Sequence, residues 1–423
     1  MSKYIVENKQ SSSFFMSFCF CLGIIAKQFY LLPNGSLQIG DILMMVPAVL
    51  LVLQGVIQIA PIDRKIGLFV LLAAGVNVAY YFYYKDAAFL KYTTYLVFSF
   101  IIIWTSRQLM EEVSFIRMLR ISCYLAVLVQ AAIAVLNMGR SLWGSRYIGT
   151  FNDPNQLAFY VFSVSMCGYA CGVLLGERTS VFLQIPAIYL IYRSSSMSMT
   201  FGFLIFLAFA YLHPSWSQLK HGYLYLVLVL IAVGGFYLAS EIGLLDNLRI
   251  PFLSDLTQSV LWKRTTGKIE RADGGFFTAF IRDRSMGRIL DEPIYLLFGA
   301  GEGHWIRYST GNEIHCTMIA LLYYYGVIPY LFFLTWIFSN LKGIKKQLIP
   351  VYIAIILEAF TLVNHRQPTF WLMFVIGSHV LAKAQVPDEE SAEMADIMND
   401  RVSNIKSIGK QSEKHHRALS ERM

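Results

Sequence analysis

Residues 282–326 read RDRSMGRILDEPIYLLFGAGEGHWIRYSTGNEIHCTMIALLYYYG. The first half of this stretch is rich in arginine and glycine, and the second half sets His315 at the lip of a long apolar run. Arg282, Arg284 and Arg288 fall within seven positions. Charge followed directly by an apolar run is the pattern of a loop returning to a membrane, because a bilayer core of ~30 Å accepts long apolar helices and rejects clustered charge. The remainder of the chain reads as membrane-embedded scaffold, so chemistry is expected in this polar stretch.

Composition agrees. Of 423 residues, 56% are apolar and only 15% charged, and the mean hydropathy is +0.52, well outside the range of soluble domains. Apolar windows recur at 13–31, 39–60, 66–84, 89–106, 117–137, 156–175, 180–192, 200–212, 223–240, 315–338, 348–364 and 369–383. The expected fold is therefore an all-α polytopic membrane protein of about twelve transmembrane helices. Thirteen Lys and Arg on one set of short connections face six on the other, which places both termini in the cytoplasm. The long loop 241–312 then lies outside, in a bacterium the periplasm. The domain reading is a transmembrane catalytic domain, 1–383, with a cytoplasmic tail, 384–423. The net charge of +8 is accounted for by cytoplasmic loops, so nucleic acid is set aside as a partner and the bilayer takes its place. The six cysteines show no CxxC and no histidine at zinc spacing, so they read as small apolar packing residues, and no metal or cofactor is expected.

Several spans contain features that break the apolar pattern. Pro47 and Pro186 are expected to kink the second and seventh helices. Lys27 reads as a snorkelling cation near the end of the first span. Glu358, deep in the eleventh, reads either as functional or as half of a pair with a neighbouring helix. No internal repeat is visible, which counts against a transporter built from two halves.

Three polar constellations lie on the outer side. A helix over 276–290 would stack Arg284 and Arg288 on one face, where two guanidinium forks match the oxygens of a pyrophosphate. Pairing with Asp283, Asp291 and Glu292 is the alternative. FGAGEGH at 298–304 reads as a tight turn, and His315 has a side chain suited either to proton transfer or to capping the helix that follows it. The second constellation is GTFNDPNQ at 149–156, where Asp153 or Asn155 can cap the sixth helix; Arg140 and Arg146 lie nearby, on the side that normally lacks positive charge. The third is YRSSSMSMT at 192–200, which sets Arg193 and several hydroxyls between two short apolar runs and points to a broken or re-entrant helix lining a cavity.

Together these residues resemble the bacterial O-antigen polymerase and O-antigen ligase superfamily. Gly149, Thr150, Phe151, Pro154, Asn155 and Ala158 look like its GTF..PN signature; Pro293, Gly299, Gly301, His315 and Gly326 look like its glycine loop followed by a histidine-led span. The matches cover about 138–340 in the family's order. Cys316 follows His315 where the family often has Asn, and Tyr192 precedes Arg193 where it often has Ser. An R-x10-G spacing is met by both Arg288–Gly299 and Arg264–Gly275, so it decides nothing. The resemblance implies a GT-C-like glycosyltransferase of the inner membrane, acting on undecaprenyl-pyrophosphate-linked glycans as donor and acceptor. It implies His315, Arg288 and Arg284 as catalytic residues and Arg282, Arg193, Arg146, Asn155 and Asp153 as substrate-binding residues. A flippase and a chain-length regulator of the same pathway are the expected protein partners. The alternatives are a ligase transferring glycan to lipid A core and a lipid-linked oligosaccharide flippase.

Overall fold

The computed structural model describes residues 2–32, 38–143, 146–212, 281–282, 284–308 and 312–384. The expected ninth span, most of the loop 241–312 and the tail beyond 384 lie outside the described residues. Compact unit Met1–His379 holds every element below, apart from the end of the last helix, which enters a second unit beginning at Val380.

In chain order, and numbered among the described residues, the elements are α1 (Ser2–Ala26), α2 (Ile39–Leu53), α3 (Arg64–Tyr84), α4 (Ala88–Leu109), α5 (Val113–Val135), β1 (Arg140–Leu142), β2 (Arg146–Gly149), α6 (Pro154–Leu174), α7 (Ile185–Ser194), α8 (Met197–Leu207), α9 (Gly287–Asp291), α10 (Tyr295–Phe298), α11 (Thr317–Tyr325), α12 (Val327–Leu341), α13 (Ile349–Ala359) and α14 (Pro368–Ala384). Helices α3, α4, α5 and α6 have 21, 22, 23 and 21 residues and are apolar enough to cross a bilayer. Large apolar side chains point outward along the bundle, among them Phe14 and Phe18 on α1, Leu68 and Leu71 on α3, and Ile121, Leu125 and Leu128 on α5. Polar side chains such as Asn77, Gln130, Ser163 and Asn340 are buried. Apolar outside and polar inside is the arrangement of a helical membrane protein, which this chain is.

Helix α6 is buried along nearly its whole length and packs against α5, α7, α8 and α13. Asp153 starts it: its Oδ1 accepts from the Asn155 amide at 2.7 Å and the Gln156 amide at 3.3 Å, with Pro154 in the first turn. All six cysteines are free and buried, as packing residues should be.

The structure corrects several expectations. The tenth span is not one helix: it breaks at Gly326 (φ +82°) into α11 and α12. A Cβ at Gly326 would meet the Leu297 carbonyl oxygen at 2.5 Å, and one at Gly299 would meet the Tyr325 backbone at 2.7 Å, so the two glycines allow two backbones to touch. Amides of Ala300 and Gly301 donate to the Tyr323 and Tyr324 carbonyls at 2.9 and 2.8 Å, satisfying groups that the break releases. Helix 276–290 also fails: among its described residues the chain turns through Ser285 in the left-handed region (φ +52°), and only Gly287–Asp291 is helical beyond it. The second span ends at Leu53 instead of 60. Pro186 lies in the first turn of α7, where it lacks no intrahelical partner and does not kink the helix. Lys27 does not snorkel. It is buried, with Nζ 2.7 Å from both carboxylate oxygens of Asp41 on α2. Among the described residues Glu358 forms no ion pair with a neighbouring helix; its Oε1 accepts from Asn364, six residues on, at 2.5 Å. A small antiparallel ribbon, β1–β2, interrupts the all-helical plan between α5 and α6. The expected break at 192–200 is present: α7 ends at Ser194, Ser195 caps it in the left-handed region (φ +52°), and α8 begins at Met197.

Candidate functional site

The loops on the expected outer side interlock. Strand β2 carries Arg146, which is buried; its Nε donates to the Ser194 carbonyl at 2.9 Å and its Nη2 to Asn155 Oδ1 at 3.0 Å. Ser196, in the break between α7 and α8, donates to the same Asn155 oxygen at 3.0 Å. Arg193 lies over the Tyr147 ring, 5.2 Å from its centroid, and donates to the Tyr189 hydroxyl at 2.7 Å. Two constellations separate in sequence thus form one cluster of Arg146, Asn155, Arg193 and the serine break. Asp153 serves as the α6 cap. Arg140 donates to the Phe151 carbonyl at 3.0 Å, so a positive charge on the unexpected side helps fold the ribbon back on the 149–156 turn.

The second group is built from the two halves of 282–326. The His315 amide donates to the Arg284 carbonyl at 3.0 Å, which ties the histidine loop to the arginine turn. His315 is exposed, and its Nδ1 lies 3.0 Å from the Glu313 carbonyl. It is not a cap: α11 begins two residues later, at Thr317. Arg284 is half-buried and Arg282 exposed. Arg288 is buried, bonds to the Asn312 carbonyl and stacks over the Tyr308 ring at 4.2 Å. Arg284 and Arg288 therefore share no helical face, and the two-fork grip expected from sequence is absent.

The 298–304 loop holds a carboxylate that sequence reading passed over as part of a turn. Glu302 is 1% exposed; it accepts from Arg366 Nε at 2.8 Å and Nη2 at 2.5 Å, from the Tyr325 hydroxyl at 2.5 Å, and lies 3.2 Å from His365 Nε2. Its amide donates to Asn77 at 2.8 Å. Burial by itself would raise its pKa, but the Arg366 guanidinium and then His365 outweigh burial and hold it down at about 2. Arg366 also pairs with Glu313 at 2.7 Å and lies 4.4 Å above the Tyr92 ring. With both oxygens engaged, Glu302 is a strut and not a proton carrier. Glu302 and Arg366 are 64 residues apart, so no local pattern pairs them.

The histidine loop presents an exposed imidazole and is bonded to the turn that carries Arg284, and a separate cluster offers hydroxyl, amide and guanidinium groups around Asn155. A scan of protein-family models and a search of curated proteins both find no match for the chain.

Proposed function

We propose that the chain polymerises lipid-linked oligosaccharide repeat units at the outer face of a bacterial inner membrane. It would move a glycan from an undecaprenyl pyrophosphate carrier to a sugar hydroxyl on a second carrier-linked unit. The observation that carries this reading is the 3.0 Å backbone bond from the His315 amide to the Arg284 carbonyl, which joins a loop carrying an exposed imidazole to a turn carrying a half-buried guanidinium. In the reaction, the acceptor hydroxyl gives its proton to His315 while its oxygen bonds to the anomeric carbon. The bond from that carbon to the pyrophosphate breaks, and the electron pair leaves on the pyrophosphate beside Arg284, where fixed positive charge stabilises it without a metal. Arg288, held by Asn312 and Tyr308, keeps the turn in place and supplies background charge. Arg146, Arg193 and Asn155 are assigned to the glycan or second carrier.

With this reading go twelve spans in a GT-C-like arrangement, cytoplasmic termini and a periplasmic site. Deleting the gene tests it. A strain lacking the chain should accumulate single repeat units on their carrier, exposed at the outer face and still ligated singly to the cell surface. Units trapped at the inner face would identify a flippase instead, and full-length carrier-linked polymer that never reaches lipid A core would identify a ligase.

A further inference from the structure

A second histidine of the 282–326 stretch sits in a cluster of side chains built for binding. His304 follows Gly303 in the 298–304 loop and adopts a left-handed backbone (φ +51°), which aims its ring at the connection between α3 and α4. There its Nδ1 lies 2.8 Å from Asp86 Oδ2, and its ring stacks on Tyr84 with centroids 4.8 Å apart. The other carboxylate oxygen of Asp86 accepts from the Ala88 amide at 2.8 Å. That amide bond, opposed by burial and assisted by His304, holds Asp86 below the usual carboxylate range, so it faces the ring as an anion. A carboxylate oxygen can only accept, so Nδ1 carries the proton in this pair, and in that tautomer Nε2 is a hydrogen-bond acceptor. Nε2 bonds to no described residue and is not among the buried polar atoms, so it is open to solvent.

The surroundings define what such an acceptor receives. Trp305, next in the chain and half-buried, donates to the Tyr92 hydroxyl at 3.2 Å and packs on the Tyr92 and Tyr324 rings, so the residue after the imidazole presents a large flat apolar ring. Arg307, three positions on, bonds through Nη2 to the Ala300 and Gly301 carbonyls and lies over the rings of Tyr80, Tyr84, Phe89 and Tyr308. Lys85 lies over Phe82. An acceptor lone pair backed by an anion repels phosphate and welcomes a neutral hydroxyl; an aromatic ring next in the chain suits the apolar face of a pyranose. The Tyr324 hydroxyl accepts from the Ile314 amide at 2.8 Å, so the ring that touches Trp305 also touches the residue before His315. We infer that Asp86, His304 and Trp305 form a sugar-binding subsite for the acceptor glycan, with His304 Nε2 accepting from a sugar hydroxyl and Asp86 acting as its positioning residue.

This inference rests on the glycan reading above, and two readouts separate the fate of each. The first is kinetic, on full-length chain in liposomes fed carrier-linked repeat units from the deletion strain. His304→Asn is the informative variant, because Asn tolerates the left-handed backbone. It should raise the acceptor KM at least about tenfold and leave kcat within about threefold, the signature of lost binding without lost chemistry. Asp86→Asn, which keeps an oxygen for the Ala88 amide, should give a smaller rise in KM. An unchanged KM in His304→Asn, or a fall in kcat alone, overturns the subsite. The second readout needs no turnover: diethyl pyrocarbonate labelling of His304, followed by peptide mass spectrometry. Carrier-linked repeat units should slow the labelling several-fold, and undecaprenyl phosphate without a glycan should not. If wild type makes no polymer, the proposed reaction fails by itself and the labelling decides: protection by the glycan upholds the subsite, and equal labelling with and without it overturns it.

Discussion

Arg107 and Arg366 each put two guanidinium nitrogens on a buried carboxylate, at opposite connections of the bundle. Arg107 on α4 reaches Asp63, the residue before α3, with Nε at 2.8 Å and Nη2 at 2.7 Å, and bonds also to Asn340 on α12 and Ser378 on α14. Trp336 completes the set by donating to Asp63 at 3.0 Å. Every member belongs to a helix or its cap, and the network ties four helices together. Arg366 reaches Glu302 and Glu313, and all three are loop residues. His304 lies two positions after Glu302 and His315 two after Glu313. One network thus fixes scaffold to scaffold; the other fixes to one guanidinium the two loops that carry accessible imidazoles. The difference teaches where rigidity serves stability and where it serves a site.

Removing either arginine should give the largest effects. Arg107→Ala and Arg366→Ala each strand a buried carboxylate, at ~3–5 kcal/mol of stability. The comparison predicts divergence beyond that. Thermal unfolding in detergent should drop in both, but polymer formed per folded molecule should fall only in Arg366→Ala. Equal activity losses would erase the distinction.

Acid sharpens the contrast next. The folded-state pKa of Glu302 is depressed to about 2 from an ordinary 4.5, so its contribution is fully present above the ordinary value and is lost as pH falls through the interval toward 2. Melting temperature followed down that interval should fall more steeply in wild type than in Glu302→Gln, which has no such charge to lose. Parallel curves would contradict the assignment.

A smaller effect is expected at Arg284. Lysine keeps the charge and loses the fork, so Arg284→Lys should cost about tenfold in kcat/KM, the worth of one charge-assisted hydrogen bond, with melting unchanged. Asp153→Ala should be smallest, ~1 kcal/mol of stability from a lost cap and no change in activity per folded molecule. An activity loss there would return Asp153 to the substrate-binding residues.

Membrane class was legible because hydropathy sums over whole windows. The break at 192–200 was legible because polar residues interrupt the run locally. The break at Gly326 was not, since the flanking residues are apolar on both sides and the cause is the Gly299–Gly301 backbone pressed against α11, a contact between separate segments. Lys27 misled for a related reason: the partner that buries it, Asp41, lies across a turn, and hydropathy registers only a cation near a helix end. Arg284 and Arg288 had helical spacing, but spacing cannot foresee Ser285 turning left-handed between them. The Arg146–Asn155–Arg193 cluster was half visible. Each part stood out locally, and only the fold joined them. Asp86 and His304, 218 residues apart, left no local signal at all.

The central claim is that the exposed imidazole of His315 takes the acceptor proton in a glycan transfer. Purified full-length chain in liposomes, supplied with carrier-linked repeat units alone, tests it most directly, with product length read on gels and released undecaprenyl pyrophosphate counted. Wild type should extend the units and release one carrier per linkage, and His315→Asn should slow both by ~10²-fold to 10⁴-fold at an unchanged melting temperature. Polymer formed by His315→Asn at the wild-type rate, or units left single by folded wild type, would contradict it.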